Sequence, residues 1–175
     1  MFKDGWYLGC KYIQSENYNQ RSSNDDCDID LVVIHCISLP EGAYDNQNVE
    51  NLFQNKLECG LDKSFESLED VKVSAHFYIK RYGEIIQFVS VNDRAWHAGI
   101  SEYNGRKCCN DFSVGIEMQG TDKTNYESEQ YNSLNKLLKD LRASYPRLQN
   151  IIGHEDIAPG RKTDPGIRFD WDKIK

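Results

Sequence analysis

The longest unbroken apolar run in the chain is only four residues, Leu31-Val-Val-Ile34, set between Asp30 and His35. A short β-branched run of that kind predicts a strand covered on both faces. Apolar residues then alternate at Val73, Ala75, Phe77 and Ile79, Arg81-Tyr82-Gly83 turns the chain, and residues 85–89 return. That pattern predicts two strands over 71–89. A further strand is predicted over 112–118, with Glu117 near its end, and a short one over 151–153 that stops at His154. Tyr131, Leu134, Leu137, Leu138 and Leu141 recur at helical spacing, so an amphipathic helix is expected over 126–145, closed by Pro146. A weaker helix is expected over 48–56 on Val49, Leu52 and Phe53. The polar stretches 14–30 and 39–47, the aperiodic stretch 90–111 and the tail from 159 read as loops, with a helical turn near Trp171. Strands mixed with helices, with no repeat and no linker, predict a single α/β domain over residues 1–175 built around one sheet.

Composition narrows the function classes. The 175 residues are 39% apolar and 28% charged, and 28 acids against 21 bases give a net charge of −7. A binder of nucleic acid or of acidic membrane surfaces needs the opposite sign or a basic block, so neither partner is expected. No apolar stretch approaches the roughly 20 residues that span a bilayer, and the N-terminus has no signal-peptide pattern. The six cysteines (Cys10, Cys27, Cys36, Cys59, Cys108, Cys109) include no CxxC pair. In a chain large enough to fold without staples they read as reduced thiols of a cytoplasmic protein.

The candidate chemistry gathers on histidines and acids. His35 and His154 each follow a predicted buried strand, where α/β sheets place their ligands. Asp164 follows His154 after a turn-rich excursion, and Asp156 is an alternative to it. Two imidazoles and one carboxylate are the ligand count of a catalytic zinc site with a position left for water, whose pKa the metal lowers to about 7. Glu117, an acid in an apolar strand, suits a general base, because burial would raise its pKa. Lys162 is placed to meet a developing oxyanion. Strand-end histidines also occur as hydrogen-bonded structural residues, Glu117 could sit on a solvated strand face, and nothing in the spacing brings His35 to His154.

Five segments together resemble a known family: Val33-Ile-His-Cys-Ile-Ser-Leu-Pro40, Val73-Ser-Ala-His76, Arg94-Ala-Trp-His-Ala-Gly99, Asn110-Asp-Phe-Ser-Val-Gly-Ile-Glu117 and Gly153-His-Glu-Asp-Ile-Ala-Pro-Gly-Arg-Lys-Thr-Asp-Pro-Gly166. The chain is similar, from about Gly5 to Trp171, to the type 2 amidase and peptidoglycan-recognition-protein superfamily. The resemblance implies a mixed sheet flanked by helices and one Zn2+ in an open groove. It implies His35, His154 and Asp164 as metal ligands, Glu117 as catalytic acid/base and Lys162 as stabiliser of the tetrahedral intermediate. The substrate it implies is an anhydromuramyl peptide, cut at the amide between the lactyl group and L-alanine during cytoplasmic cell-wall recycling. Trp96 and His97 fall in the loop that lines the family's groove, Lys72 stands where the family often has an arginine, Arg106 or Lys107 is a nearby cation to hold the substrate, and His76 is expected to be structural. Ala75 stands where other branches carry a catalytic tyrosine, which leaves the proton work to Glu117. Cys36 and Cys108 replace an asparagine and an arginine of the family. A thiol cannot reproduce a guanidinium's paired donors at a carboxylate.

Overall fold

In the computed structural model, which describes residues 1–22 and 28–175, the run at 31–34 lies at the centre of a sheet. Four short strands come first: β1 (Phe2–Lys3), β2 (Trp6–Tyr7), β3 (Lys11–Tyr12) and β4 (Tyr18–Gln20). They lead to β5 (Leu31–Ile37), helix α1 (Asn48–Phe53) and two 3-10 turns, Cys59–Leu61 and Lys63–Leu68. Strands β6 (Phe77–Ile79), β7 (Ile85–Gln87), β8 (Asp93–Ala95), β9 (Glu102–Tyr103) and β10 (Arg106–Lys107) follow. A 3-10 turn, Cys109–Asp111, then opens into β11 (Ser113–Gln119). Helix α2 (Ser128–Ser144), β12 (Asn150–Gly153), the one-turn helix α3 (His154–Ile157) and a last 3-10 turn, Trp171–Lys173, complete the chain. The main sheet has the order β12-β5-β11-β6-β7-β3. Its first four strands run parallel, β7 is antiparallel to β6, and β3 is parallel to β7, so the sheet is mixed as the family resemblance implies.

β5 and β11 pair residue for residue, from Leu31 with Ser113 to Ile37 with Gln119. Because successive strand residues face opposite sides, this register sorts two sets of side chains. Val32, Ile34, Val114, Ile116 and Met118 pack with Leu134, Leu137, Leu138 and Leu141 of α2. Each of those leucines is fully buried and contributes about 1.5–3 kcal/mol by leaving water. On the opposite face Leu31 and Val33 pack with Ala98, Cys109, Phe112 and Ile157. The same face, further along both strands, carries His35, Gly115 and Glu117. The helix period of α2 therefore closes one side of the sheet, and the other is left to loops and chemistry.

Several expectations change. β5 extends to Ile37, so His35 is interior to its strand and not at its end. Of the alternating residues 73–79 only Phe77–Ile79 is strand. Residues before it are tied elsewhere, Ser74 N–H to the Trp96 carbonyl and Ser74 Oγ to the Asn17 carbonyl, so alternation there marks a buried loop. His76 accordingly precedes β6 and does not lie within a strand. The stretch 90–111 holds β8, β9, β10 and a 3-10 turn, elements too short to show a period. Within 14–30, β4 pairs with β8; the loop expectation at 23–27, Cys27 included, falls outside the described residues. Cys10, Cys36, Cys59, Cys108 and Cys109 are all free thiols. Among the described residues no helix is long and apolar enough to cross a membrane.

Candidate metal centre and active site

Residues 119 positions apart in the chain meet across the end of the sheet. β12 lies beside β5, in register from Asn150 with Leu31 to Gly153 with Ile34, so His154 emerges next to His35. His35 Nδ1 is 2.9 Å from His154 Nδ1 and 3.2 Å from Asp164 Oδ2. His154 Nδ1 and Asp164 Oδ2 are 3.0 Å apart. A tetrahedral ion with ligands at about 2.0–2.1 Å would set its donors about 3.3 Å apart, close to this triangle. The three residues are the group among the described residues whose donor atoms could hold one ion. Two nitrogens and a carboxylate oxygen suit zinc.

Backbone contacts hold the triangle in shape. Glu155 N–H donates to the Asp164 carbonyl at 2.9 Å, which fastens the Asp164 loop to the first turn of α3. Asp156, the alternative ligand, is occupied differently: its Oδ2 accepts the Gly153 N–H at 2.8 Å and caps α3. The Ala98 carbonyl lies 3.1 Å from His154 Nε2. A carbonyl only accepts, so Nε2 carries a proton and Nδ1 is the ring atom turned toward His35 and Asp164. Burial pulls the His35 pKa down to about 4, against the upward pull of Asp164, so that ring is neutral at physiological pH. Burial also acts to raise Asp164, but hydrogen bonding to the two imidazoles outweighs it and holds the carboxyl below the usual range.

Glu117 pairs with His35 in register and so projects on the same face. It is buried, and one carboxylate oxygen, Oε2, has no hydrogen-bond partner among the described residues. Burial first, and then the charge of Asp164, push its pKa well above the ordinary value, with Lys162 opposing. A groove of about 450 Å³ opens beside Asp164, with Cys36, Ser38, Glu41, Lys123 and Lys162 on its walls.

This chain matches the sequence profile described as N-acetylmuramoyl-L-alanine amidase over residues 25–167. It is 42% identical to the 1,6-anhydro-N-acetylmuramyl-L-alanine amidase AmpD of Escherichia coli K12, over 100% of this chain and 95% of that protein. The crystal structure of a selenomethionine derivative of AmpD superposes with a TM-score of 0.95 at 40% identity, covering 99% of this chain and 97% of that one. AmpDH3 of Pseudomonas aeruginosa, solved in complex with anhydromuramic pentapeptide, superposes with a TM-score of 0.62 at 27% identity, over 92% of this chain and 63% of that one. The chain belongs to the N-acetylmuramoyl-L-alanine amidase family. It is an amidase.

Within this amidase the other expected residues scatter. Lys162 is exposed on the groove wall. His97 packs against His35: its Nδ1 is 2.9 Å from His35 Nε2 and its Nε2 is 3.2 Å from Ser113 Oγ. Trp96 Nε1 donates to Asn19 Oδ1 at 2.7 Å, which tethers the half-buried indole to β4. Arg106 grips both carboxylate oxygens of Asp30 at 2.8 Å and stacks over Phe112, beside the start of β5, whereas His35 lies toward its end. Lys72 is exposed and lines a separate groove with Leu57, Cys59 and Leu68. His76 Nδ1 accepts the Gly115 N–H at 3.0 Å, and its Nε2 lies 3.0 Å from both the Asp93 carbonyl oxygen and the Arg21 guanidinium.

Three contributors escaped the sequence reading. Asn110 Oδ1 accepts the N–H groups of His97 and Ala98, at 3.1 and 2.8 Å, and so holds the backbone on the N-terminal side of the carbonyl that meets His154. Ser113 and Gly115 complete the surroundings of His97. All three stand in the segment that ends at Glu117, and their presence there was the available signal.

Proposed function

We propose that residues 1–175 form one zinc amidase domain that hydrolyses the amide between the lactyl group of 1,6-anhydro-N-acetylmuramic acid and the L-alanine of the stem peptide, in cytoplasmic recycling of muropeptides. The observation that carries this reading is the His35–His154–Asp164 triangle with Glu117 beside it on the same face of the sheet. Identity to AmpD along the whole chain supports the substrate, and the free thiols accord with a reducing compartment.

His35 Nδ1, His154 Nδ1 and Asp164 Oδ2 would hold the zinc. When bound, it supplies Lewis-acid activation of the scissile carbonyl and of a water molecule. Glu117 takes the proton from the attacking water at Oε2, the oxygen without a protein partner, and returns it to the departing L-alanine nitrogen. Its raised pKa suits both halves of that exchange, since an ordinary carboxylate would release the proton to solvent instead of holding it. Lys162 donates from Nζ to the carbonyl oxygen as negative charge grows there. Lys123, on the same groove, is a cation suited to the stem-peptide carboxylates.

Zinc analysis of the purified chain, paired with product masses from anhydro-N-acetylmuramyl tripeptide, tests the reading. One zinc per chain, with the free anhydro sugar and free tripeptide as products, is the expected result. Cleavage between amino acids, or full turnover after metal removal, would overturn it.

A further inference from the structure

His97 is held from three sides, and the direction of each hydrogen bond around it is fixed. Ser113 is fully buried, and its Oγ donates its only proton to the Cys109 carbonyl, which can only accept. Toward His97 Nε2, 3.2 Å away, Ser113 Oγ is therefore the acceptor, and Nε2 carries the ring proton. Nδ1 then has a lone pair, and it faces His35 Nε2 at 2.9 Å. His35 must accordingly place its own proton on Nε2, which leaves Nδ1 as a lone pair aimed at His154 Nδ1 and Asp164 Oδ2. The backbone of the sheet makes room for this. A Cβ on Gly115 would lie 2.4 Å from His97 Cγ and 2.6 Å from Nδ1, so only a glycine in β11 lets the ring lie against the strand.

We infer that His97 is a positioning residue: locked in one tautomer by Ser113, it accepts the His35 Nε2–H and thereby orients His35 Nδ1 to bind the metal. The inference rests on the zinc reading above. It gives His35 the same treatment that the Ala98 carbonyl gives His154, with a side-chain relay, Cys109 carbonyl–Ser113–His97, in place of a single carbonyl. Outer partners of this kind orient metal-binding imidazoles and raise their basicity.

Zinc affinity, measured on the full chain by competition with a chromophoric chelator, is the test. His97→Leu removes the acceptor and is expected to weaken zinc binding by about 10–100-fold. His97→Asn keeps an oxygen acceptor near the place of Nδ1 and is expected to recover most of that loss. Ser113→Ala frees the His97 tautomer and is expected to fall between the two. A ring that only fills space would lower the melting temperature of the metal-free protein and leave zinc affinity alone; that result would overturn the inference. Should His97→Leu fail to fold, imidazole 15N shifts of metal-free wild-type protein decide: an Nε2–H tautomer at His97 is expected, and Nδ1–H overturns the relay. Wild type without zinc affinity would sink the metal reading and this inference with it, whereas unaltered affinity in all three variants would sink the inference alone.

Discussion

The two faces of strands β5 and β11 are built from the same backbone and do opposite things. Toward α2 the pleat presents Val32, Ile34, Val114, Ile116 and Met118, closed over by four leucines. Toward the loops, one residue out of step, it presents His35, Ser113, Gly115 and Glu117. The first face is tolerant in kind, since any well-packed apolar set of the right volume would serve. The second depends on lone-pair direction and on donor separations of about 3 Å. A single register thus carries both the stability and the chemistry of the amidase, and the two should separate under mutation.

The largest expected effect is on the loop-facing side. His154→Ala removes one of three donors, so zinc content and turnover should both fall to background in metal analysis and a muropeptide assay. Glu117→Ala should retain zinc and lose about 10²–10⁴-fold in turnover, the usual contribution of a positioned base. Equal loss of zinc in both variants would make Glu117 a ligand and undo the division of roles. On the α2 side, Leu138→Ala should cost about 2–5 kcal/mol in denaturant unfolding, with zinc affinity of the folded protein unchanged. A drop in zinc affinity there would show that the faces are coupled.

A smaller effect tests the electrostatics of Glu117. Its folded-state pKa is raised, so in metal-free protein the folded form keeps a proton that the unfolded chain gives up above about pH 4.3. Glu117 therefore costs stability that grows as pH rises above that value, and none below it. Glu117→Gln should raise the melting temperature of metal-free protein at pH 8 and leave it unchanged at pH 4. The smallest effect is expected at Lys72, exposed on a separate groove: Lys72→Ala should leave kcat/KM on the anhydromuramyl tripeptide unchanged.

How legible the molecule was in its sequence follows the same division. β5, β11, β12 and α2 announce themselves, because short β-branched apolar runs and helical leucine spacing are local patterns. The strands β1 to β4 and β8 to β10 are two or three residues long, and no periodicity can register them. The His35–His154–Asp164 triangle was legible as residue types but not as a place. The sheet order sets β12 beside β5 and β5 beside β11, strands distant in the chain, and spacing along the sequence does not encode that. Shared family motifs supplied what periodicity lacked. Arg106, expected at the substrate because it stands near Cys108 in sequence, pairs in space with Asp30. Arg21 was hidden in a polar stretch; its guanidinium donates to the Asn110, Asp111 and Ser113 carbonyls and braces the entry to β11.

Gly166 has a positive φ of 85°, and a Cβ there would sit 2.2 Å from the Asp122 carbonyl oxygen. Thr163 Oγ1 also donates to Asp122 Oδ2 at 2.9 Å, and Tyr126 Oη to the Pro165 carbonyl at 2.8 Å. The two banks of the cleft, one bearing Lys123 and the other Lys162 and Asp164, are thereby riveted together behind it. Bulk at position 166 would prise the banks apart and drag the aspartate with them.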